Sequence, residues 1–296
     1  MGTISVLLST YNGEKYIIEQ LESLKNQTRK IDSVIIKDDC STDNTVKLIR
    51  QFLGKNNLDR WKLIINEENL GWRKNFVSLL DYVDTEHFFF CDQDDIWHLD
   101  KIEKMAAVME GDTRIEILVS KFYPFYEDGR KSRKSDCLSG QVQKLEQKNF
   151  LLNKFPGCTM CIKSSLIPAY KKYWSKDIPH DSFAMLYGLA RHSIYVYDYF
   201  TIHYRRHAQT ATHPTILNRE ERIHEAEYYL RLVQLYQDIS HARPDDIKCV
   251  KEWVTVRRDA LYKRNPLILL KNIKNLNLYW SLQTYIMDWI CAMGLY

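Results

Sequence analysis

The sequence predicts an α/β protein, with a mostly parallel sheet flanked by helices and a helical C-terminal region. Three observations carry this expectation. Apolar, strand-like runs alternate with helix-length amphipathic segments through the first 120 residues. Those runs are rich in Ile, Val, Leu and Phe and are nearly continuous, as in strands covered on both faces. From about Asn218 onward the spacing of apolar residues is helical.

The elements follow in order. Ile4 to Leu8 is the first strand, and Ser9-Thr10-Tyr11-Asn12-Gly13 the turn after it, with Gly13 available for positive φ. Ile17, Leu21 and Leu24 then recur at helical spacing. Val34-Ile35-Ile36 is a second strand ending at Asp38-Asp39-Cys40-Ser41-Thr42-Asp43, where Ser41 or Thr42 suits an N-cap. Val46, Ile49 and Phe52 mark the next helix. Leu63-Ile64-Ile65 is a third strand, residues 66–71 a loop, and Trp72 to about Tyr82 a helix. Phe88 to Cys91 is the fourth strand, and Asp92-Gln93-Asp94-Asp95 follows it directly. Ile102, Met105, Ala106 and Met109 pattern a helix, and Ile115 to Val119 is a fifth strand. Such βαβ units imply parallel pairing and right-handed crossovers.

The rhythm then breaks. Residues 127–146 are polar, and Arg130, Lys131, Arg133 and Lys134 read as a solvated loop, the alternative being a mobile lid or acceptor contact. Phe150 to Phe155 reads as a short helix, Pro156 to Cys161 as a turn feeding a strand, and Leu166 to Trp174 as a helix. His180-Asp181 opens a further helix, and Ser193–Tyr197 and Tyr199–Arg205 read as two short strands. Two long helices follow, Ile223 to Ser240 and Asp245 to Lys263. The expected organisation is one catalytic domain over 1–215, with halves of about 1–120 and 121–215, then a helical region over 216–296.

Composition narrows the function. The chain has 296 residues, 45% hydrophobic and 27% charged, which is ordinary for a globular protein. A net charge of +4 permits an anionic ligand or an anionic membrane surface but is no nucleic-acid signature. The N-terminus has no basic leader, and no apolar run reaches the ~18 residues of a spanning helix. Seven scattered Cys suggest reduced thiols and a cytoplasmic location. Cys158 and Cys161 form a lone C-x-x-C without the further ligands of a zinc site. G-x-G-x-x-G and the P-loop pattern are absent, which disfavours those modes of nucleotide binding.

Ligand-grade residues sit at successive strand ends: Thr10 and Asn12, Asp38 and Asp39, Asn69 with Arg73, then Asp92 and Asp94. Together they suggest one cleft across the carboxyl edge of the sheet. Asp92 and Asp94, one position apart, can both face a hard cation such as Mg²⁺ or Mn²⁺. Asp39 can accept hydrogen bonds from a base or ribose, and Arg73 can neutralise phosphate. The alternative for the acids is an acidic turn capping the next helix.

The ordered set Ser9-Thr10-Tyr11-Asn12, Asp38 to Asp43, Asn69-Leu70-Gly71-Trp72-Arg73-Lys74-Asn75 and Asp92-Gln93-Asp94-Asp95-Ile96-Trp97 resembles the family 2 glycosyltransferases. The last two motifs look most like bacterial rhamnosyltransferases of polysaccharide assembly. The resemblance implies the GT-A fold, with its Rossmann-like sheet, and a nucleotide-sugar donor, dTDP- or UDP-linked. It places Thr10, Tyr11, Asp39, Arg73, Asp92 and Arg205 at the donor. Asp94, His207 and Asp92 would serve a divalent cation. Asp181 would be the catalytic base of an inverting transfer, kept ionised by its helix N-terminus. The family often has an acidic pair there, so His180 is a departure. Trp97, Gly157, Cys158 and His180 are implied near a saccharide acceptor, lipid-linked in the fuller reading.

Ile268, Leu269, Ile273, Leu276, Leu278 and Trp280, with Lys271 and Lys274, suggest an amphipathic surface for anionic lipid. The alternative is packing on the core or on a second copy of the chain. Two other functions compete. A nucleotidyltransferase would be expected to carry a Gly-rich, basic loop after the first strand, and residues 9–16 hold one Gly and one Lys. A non-enzymatic scaffold would leave the acidic series without a purpose.

Overall fold

The computed structural model describes residues 1–127, 138–206, 217–240 and 244–296. The chain divides into two compact units. The first comprises Met1–Leu145, Lys154–Gly188 and His192–Thr210; the second comprises Glu146–Asn153, Leu189–Arg191 and Ala211–Tyr296.

The first unit is built on a nine-stranded mixed sheet. Strands β1 (Ile4–Thr10), β2 (Ser33–Asp38), β3 (Trp61–Ile65) and β4 (His87–Cys91) are parallel, in the order β3-β2-β1-β4. Helices α1 (Ile17–Lys25), α2 (Thr45–Asn56) and α3 (Trp72–Ser78) cross over between them, and a 3₁₀ turn at Leu79–Tyr82 prolongs α3. Every residue of β4 and nearly every residue of β1 is buried, which explains their unbroken apolar character. All four strands end together, so their following loops meet at one edge.

Beyond β4 the parallel pattern stops. The next strand in space is β8 (Met160–Lys163), antiparallel to β4 with Phe89 opposite Cys161. The fifth predicted strand, β6 (Ile117–Tyr126), lies antiparallel on the far side of β8. Alternation along the sequence reports strands and crossovers; it does not say which strands become neighbours. The two short strands predicted over 193–205 are one strand, β9 (Ile194–Arg206), parallel to β6 across two irregularities near Lys121. Two pieces pair antiparallel with β9: β5 (Ile96–Trp97) and β7 (Val142–Lys144), the latter inside the segment expected to be loop. No helix forms at 150–155; a 3₁₀ turn at Gly157–Thr159 leads into β8 instead. Helix α4 (Lys101–Gly111) buries Ile102, Met105, Ala106 and Met109, as their spacing requires. Helices α5 (Ile167–Tyr173) and α6 (His180–Arg191) precede β9.

The second unit consists mainly of α7 (Arg219–Ser240), α8 (Pro244–Tyr262), a 3₁₀ segment Pro266–Leu278 and α9 (Leu282–Ala292). Its interior is partly ionic. Asp288 is fully buried, accepting from Arg222 at 2.9 Å and from Arg257 Nε at 2.7 Å. Arg257 also reaches Glu225 at 3.0 Å.

Candidate active site

The loops after β1 and β2 are laced into one platform. Thr10 Oγ1 donates to Asp38 at 2.8 Å, and Asp38 also accepts from the amide and hydroxyl of Ser41. Thr10 is buried and its hydroxyl is committed to this turn. Asn12 takes the left-handed conformation, φ 47°, and its side chain accepts from Thr42 N–H. Gly13, expected to supply the positive φ, is small for a different reason. A Cβ there would lie 2.3 Å from Gln93 Oε1, and the Gln93 amide needs that space to clamp Tyr11. It accepts from Tyr11 N–H at 2.8 Å and donates to Tyr11 O at 3.0 Å. The Tyr11 ring is left exposed.

Asp39 N–H donates to Thr10 O, while Asp39 Oδ1 accepts from Asn66 Nδ2 at 2.7 Å and Leu70 N–H at 2.8 Å. Its other oxygen carries neither bond. Asn75 joins the same network, donating to Ser9 and to Lys37 O and accepting from Asn66. Arg73, exposed at the start of α3, lies over the Trp72 ring at 4.7 Å.

The acids after β4 do not meet as the sequence suggests. Asp92 and Asp94 would share a face in extended chain. Residues 92–95 instead form a turn, which brings positions i and i+3 together. Among the described residues, the ligand-grade group that converges is Asp92, Asp95 and Cys158, with donor atoms within 4.8 Å of one another. Asp94 is not in that trio, although its charge acts on both carboxylates. Burial, then the charge of Asp94, pushes Asp92 up to about 7. Burial and the two neighbouring acids push Asp95 well above the usual carboxylate range. The same surroundings raise the Cys158 thiol. Two or three crowded carboxylates fit a hard divalent cation, which would relieve their repulsion.

Beneath this cluster sits a residue the sequence reading missed. Lys101 is fully buried, its ammonium donates to Cys158 O, and it lies 3.6 Å from the centre of the Trp97 ring. Burial lowers its pKa to about 8, against opposing pulls from Cys158, Cys91 and Asp95. The signal was available: Lys101 falls four residues before Met105, on the stripe that α4 buries. Trp97, expected beside the acceptor, is only 2% exposed and packs in the core against Phe89. The pairing of β5 with β9 turns it inward.

Asp181 stands in the first turn of α6, and its Oδ1 accepts from Ser182 N–H at 2.7 Å. Its charge acts on Asp92, which places the two carboxylates in one electrostatic neighbourhood. The helix terminus was expected to lower its pKa; burial outweighs the hydrogen bonds and raises it. His180 is buried, with both ring nitrogens lacking a partner. It stacks on Phe76 at 4.0 Å and meets Phe90 edge-on at 4.4 Å. Burial lowers its pKa to about 3. Gly157 makes room for it, since a Cβ there would lie 2.4 Å from His180 Nε2.

Arg205 is nearly buried and committed within the protein. Its guanidinium pairs with Glu19, donates to Asp94 O at 2.7 Å and lies between the Tyr16 and Phe125 rings. Its main-chain N–H donates to Asp95 Oδ1 at 2.9 Å. It therefore holds the acidic turn in place from behind. His207 lies outside the described residues, as do Arg130, Lys131, Arg133 and Lys134.

Residues 5–177 match the family described as glycosyl transferase family 2. The dTDP-rhamnosyl transferase RfbG of Shigella flexneri is 34% identical over 215 residues, 68% of this chain and 71% of that protein. The poly(ribitol-phosphate) beta-N-acetylglucosaminyltransferase TarS of Staphylococcus aureus is 34% identical over 112 residues, 37% of this chain but only 19% of that protein. Solved structures agree on the fold. TarS residues 1–349 with UDP superpose with a TM-score of 0.64 at 17% identity, covering 99% of this chain and 90% of that one. The mannosyltransferase PcManGT of Pyrobaculum calidifontis, with GDP-Man and Mn²⁺, gives 0.57 at 14% identity, covering 99% and 86%. With polar residues gathered at the strand ends, a clustered acidic turn and this match over more than half its length, the chain belongs to glycosyl transferase family 2 and is a GT-A glycosyltransferase.

Proposed function

We propose that the protein transfers rhamnose from a nucleoside-diphosphate donor to a hydroxyl of a growing bacterial surface polysaccharide, lipid-linked, with inversion at the anomeric carbon. The observation that carries the reading is that the charge of Asp181, in the first turn of α6, acts on Asp92, at the end of β4. This supports Asp181 as the base next to acids that would face the donor. Rhamnose and dTDP are favoured by the Shigella flexneri relative. A second reading, a UDP-hexose or UDP-hexosamine donor, is favoured by the neighbours solved with UDP and UDP-GlcNAc.

In this reading the exposed Tyr11 ring stacks on the nucleobase, Asp39 accepts from base or ribose, and Arg73 meets the diphosphate. Asp181 takes the proton of the acceptor hydroxyl as that oxygen attacks the anomeric carbon and the bond to the diphosphate breaks. Its raised pKa makes it a stronger base than an exposed Asp. Gly157, Cys158 and His180 form the wall next to Asp181, toward the acceptor. Arg205 acts through the acids it positions. A divalent cation, Mg²⁺ or Mn²⁺, would be held by Asp92 and Asp95, with the charge of Asp94 beside them, and would supply charge neutralisation for the departing diphosphate. A cytoplasmic location belongs to the same reading and is consistent with the described cysteines, which are all free.

Calorimetric titration with dTDP and UDP, each with and without Mn²⁺, tests the donor. Metal-dependent binding of dTDP is expected, binding of UDP alone would select the second reading, and binding of neither would overturn both donor assignments. Asp181→Ala is expected to abolish turnover while leaving donor affinity nearly intact, because a base contributes mainly in the transition state. Near-normal turnover would remove Asp181 from that role.

A further inference from the structure

We infer that the second unit carries a docking surface for an anionic lipid bilayer, built on the 3₁₀ segment Pro266–Leu278 and the groove between it and α8. A 3₁₀ helix has three residues per turn, so every third side chain lies on one face. Leu269, Asn272, Asn275 and Leu278 form the buried face. Asn272 donates to Trp253 O at 3.0 Å, and Cys249 meets Asn275, which anchors this face to α8. The next face is Leu267, Leu270, Ile273 and Leu276, wholly apolar and 64, 48, 53 and 36% exposed. The third face carries Lys271 and Lys274, both exposed.

Read as an α-helix, the same four apolar residues would fan around the axis. The 3₁₀ geometry lines up Leu267, Leu270 and Ile273; Asn275 then departs from helical geometry (φ −114°, ψ 21°), and Leu276 is exposed just past that kink. Trp280, Leu282 and Ile286, just beyond, are also exposed by about half or more. The groove beside Leu270 and Ile273 has a volume of about 930 Å³. Lys248 and Lys251 of α8 stand across it from Lys271 and Lys274, with Glu252 the one acid among the described residues of its lining.

An apolar ridge flanked by four ammonium groups matches the bilayer boundary, where acyl chains meet anionic headgroups. A symmetric contact with a second copy would bring the same lysines toward one another across the two-fold axis, so charge complementarity favours the lipid. No helix among the described residues is long and apolar enough to cross a membrane, so the contact is with the surface. The surface lies wholly on the second unit and is independent of which sugar is transferred.

Vesicle co-sedimentation of the full chain tests it, with phosphatidylcholine vesicles made with and without phosphatidylglycerol. The protein is expected to bind only the phosphatidylglycerol vesicles and to release as salt rises. Lys271→Gln with Lys274→Gln should weaken binding about fivefold per lysine. Leu270→Ser with Ile273→Ser should abolish it, and both pairs are exposed, so circular dichroism should match wild type. Wild type that ignores anionic vesicles, or variants that bind as it does, would overturn the inference. So would sedimentation showing a dimer that Leu270→Ser/Ile273→Ser dissociates, without vesicle binding by wild type.

Discussion

Gly157→Ala tests whether the wall beside Asp181 is as tightly fitted as the structure shows. The added methyl would lie 2.4 Å from His180 Nε2. Ordinary contact needs about 3.5 Å, so ring or backbone must move by roughly an ångström. The imidazole has little room to yield, with Phe76 stacked at 4.0 Å and Phe90 edge-on at 4.4 Å. Overpacking of this kind costs about 1–3 kcal/mol. The strain falls between Cys158, whose carbonyl accepts from Lys101, and Asp181, the neighbour of His180. A displacement of about 1 Å in a positioned group can cost about 10²-fold in turnover. The assay is a double-mutant cycle with His180→Ala, read by urea unfolding and by turnover. His180→Ala alone should destabilise by leaving a cavity, yet it should accommodate the methyl, so the double variant is expected to be about 1–3 kcal/mol more stable than the two single costs predict. Strict additivity, or a Gly157→Ala protein indistinguishable from wild type, would refute the geometry.

Three further outcomes are expected. His180 is held near 3 against an ordinary value of about 6.5, so the unfolded chain binds the extra proton as pH falls below 6.5. Wild type should then lose about 1.4 kcal/mol of stability per pH unit more than His180→Leu between pH 6.5 and 4; parallel pH profiles would show that the ring is not neutral and buried. Lys101 lowers the pKa of Asp92, so Lys101→Met should move the acid limb of the pH–rate profile upward; an unmoved limb with reduced turnover would leave Lys101 a packing role only. Asp288→Asn should destabilise the second unit by about 3–5 kcal/mol, because Arg222 and Arg257 would keep their charge with a neutral partner. Urea unfolding followed by circular dichroism measures it, and a loss under about 1 kcal/mol would show that Glu225 and solvent suffice.

The sequence by itself determined the parallel half of the sheet and the line of polar strand ends along it. These follow from local signals: apolar runs, helical spacing, and acids that strands exclude. Asp39 and Tyr11 stand at that edge for this reason, and so do the acids that follow β4. The ordered motifs also carried the family. Tertiary structure decided the rest. Whether Asp92 meets Asp94 or Asp95 depends on a turn held by Arg205, 110 residues away. Trp97 became a core residue because β5 pairs with a strand that begins about 100 residues later. Lys101 became part of the acidic centre because the Gly157–Thr159 turn brings Cys158 above it. The alignment of Leu267, Leu270 and Ile273 required 3₁₀ winding, which spacing alone does not distinguish from α-helix. In each case the outcome turns on which distant segment covers a group or satisfies its hydrogen bonds, and a periodicity of two to four residues holds no record of that partner.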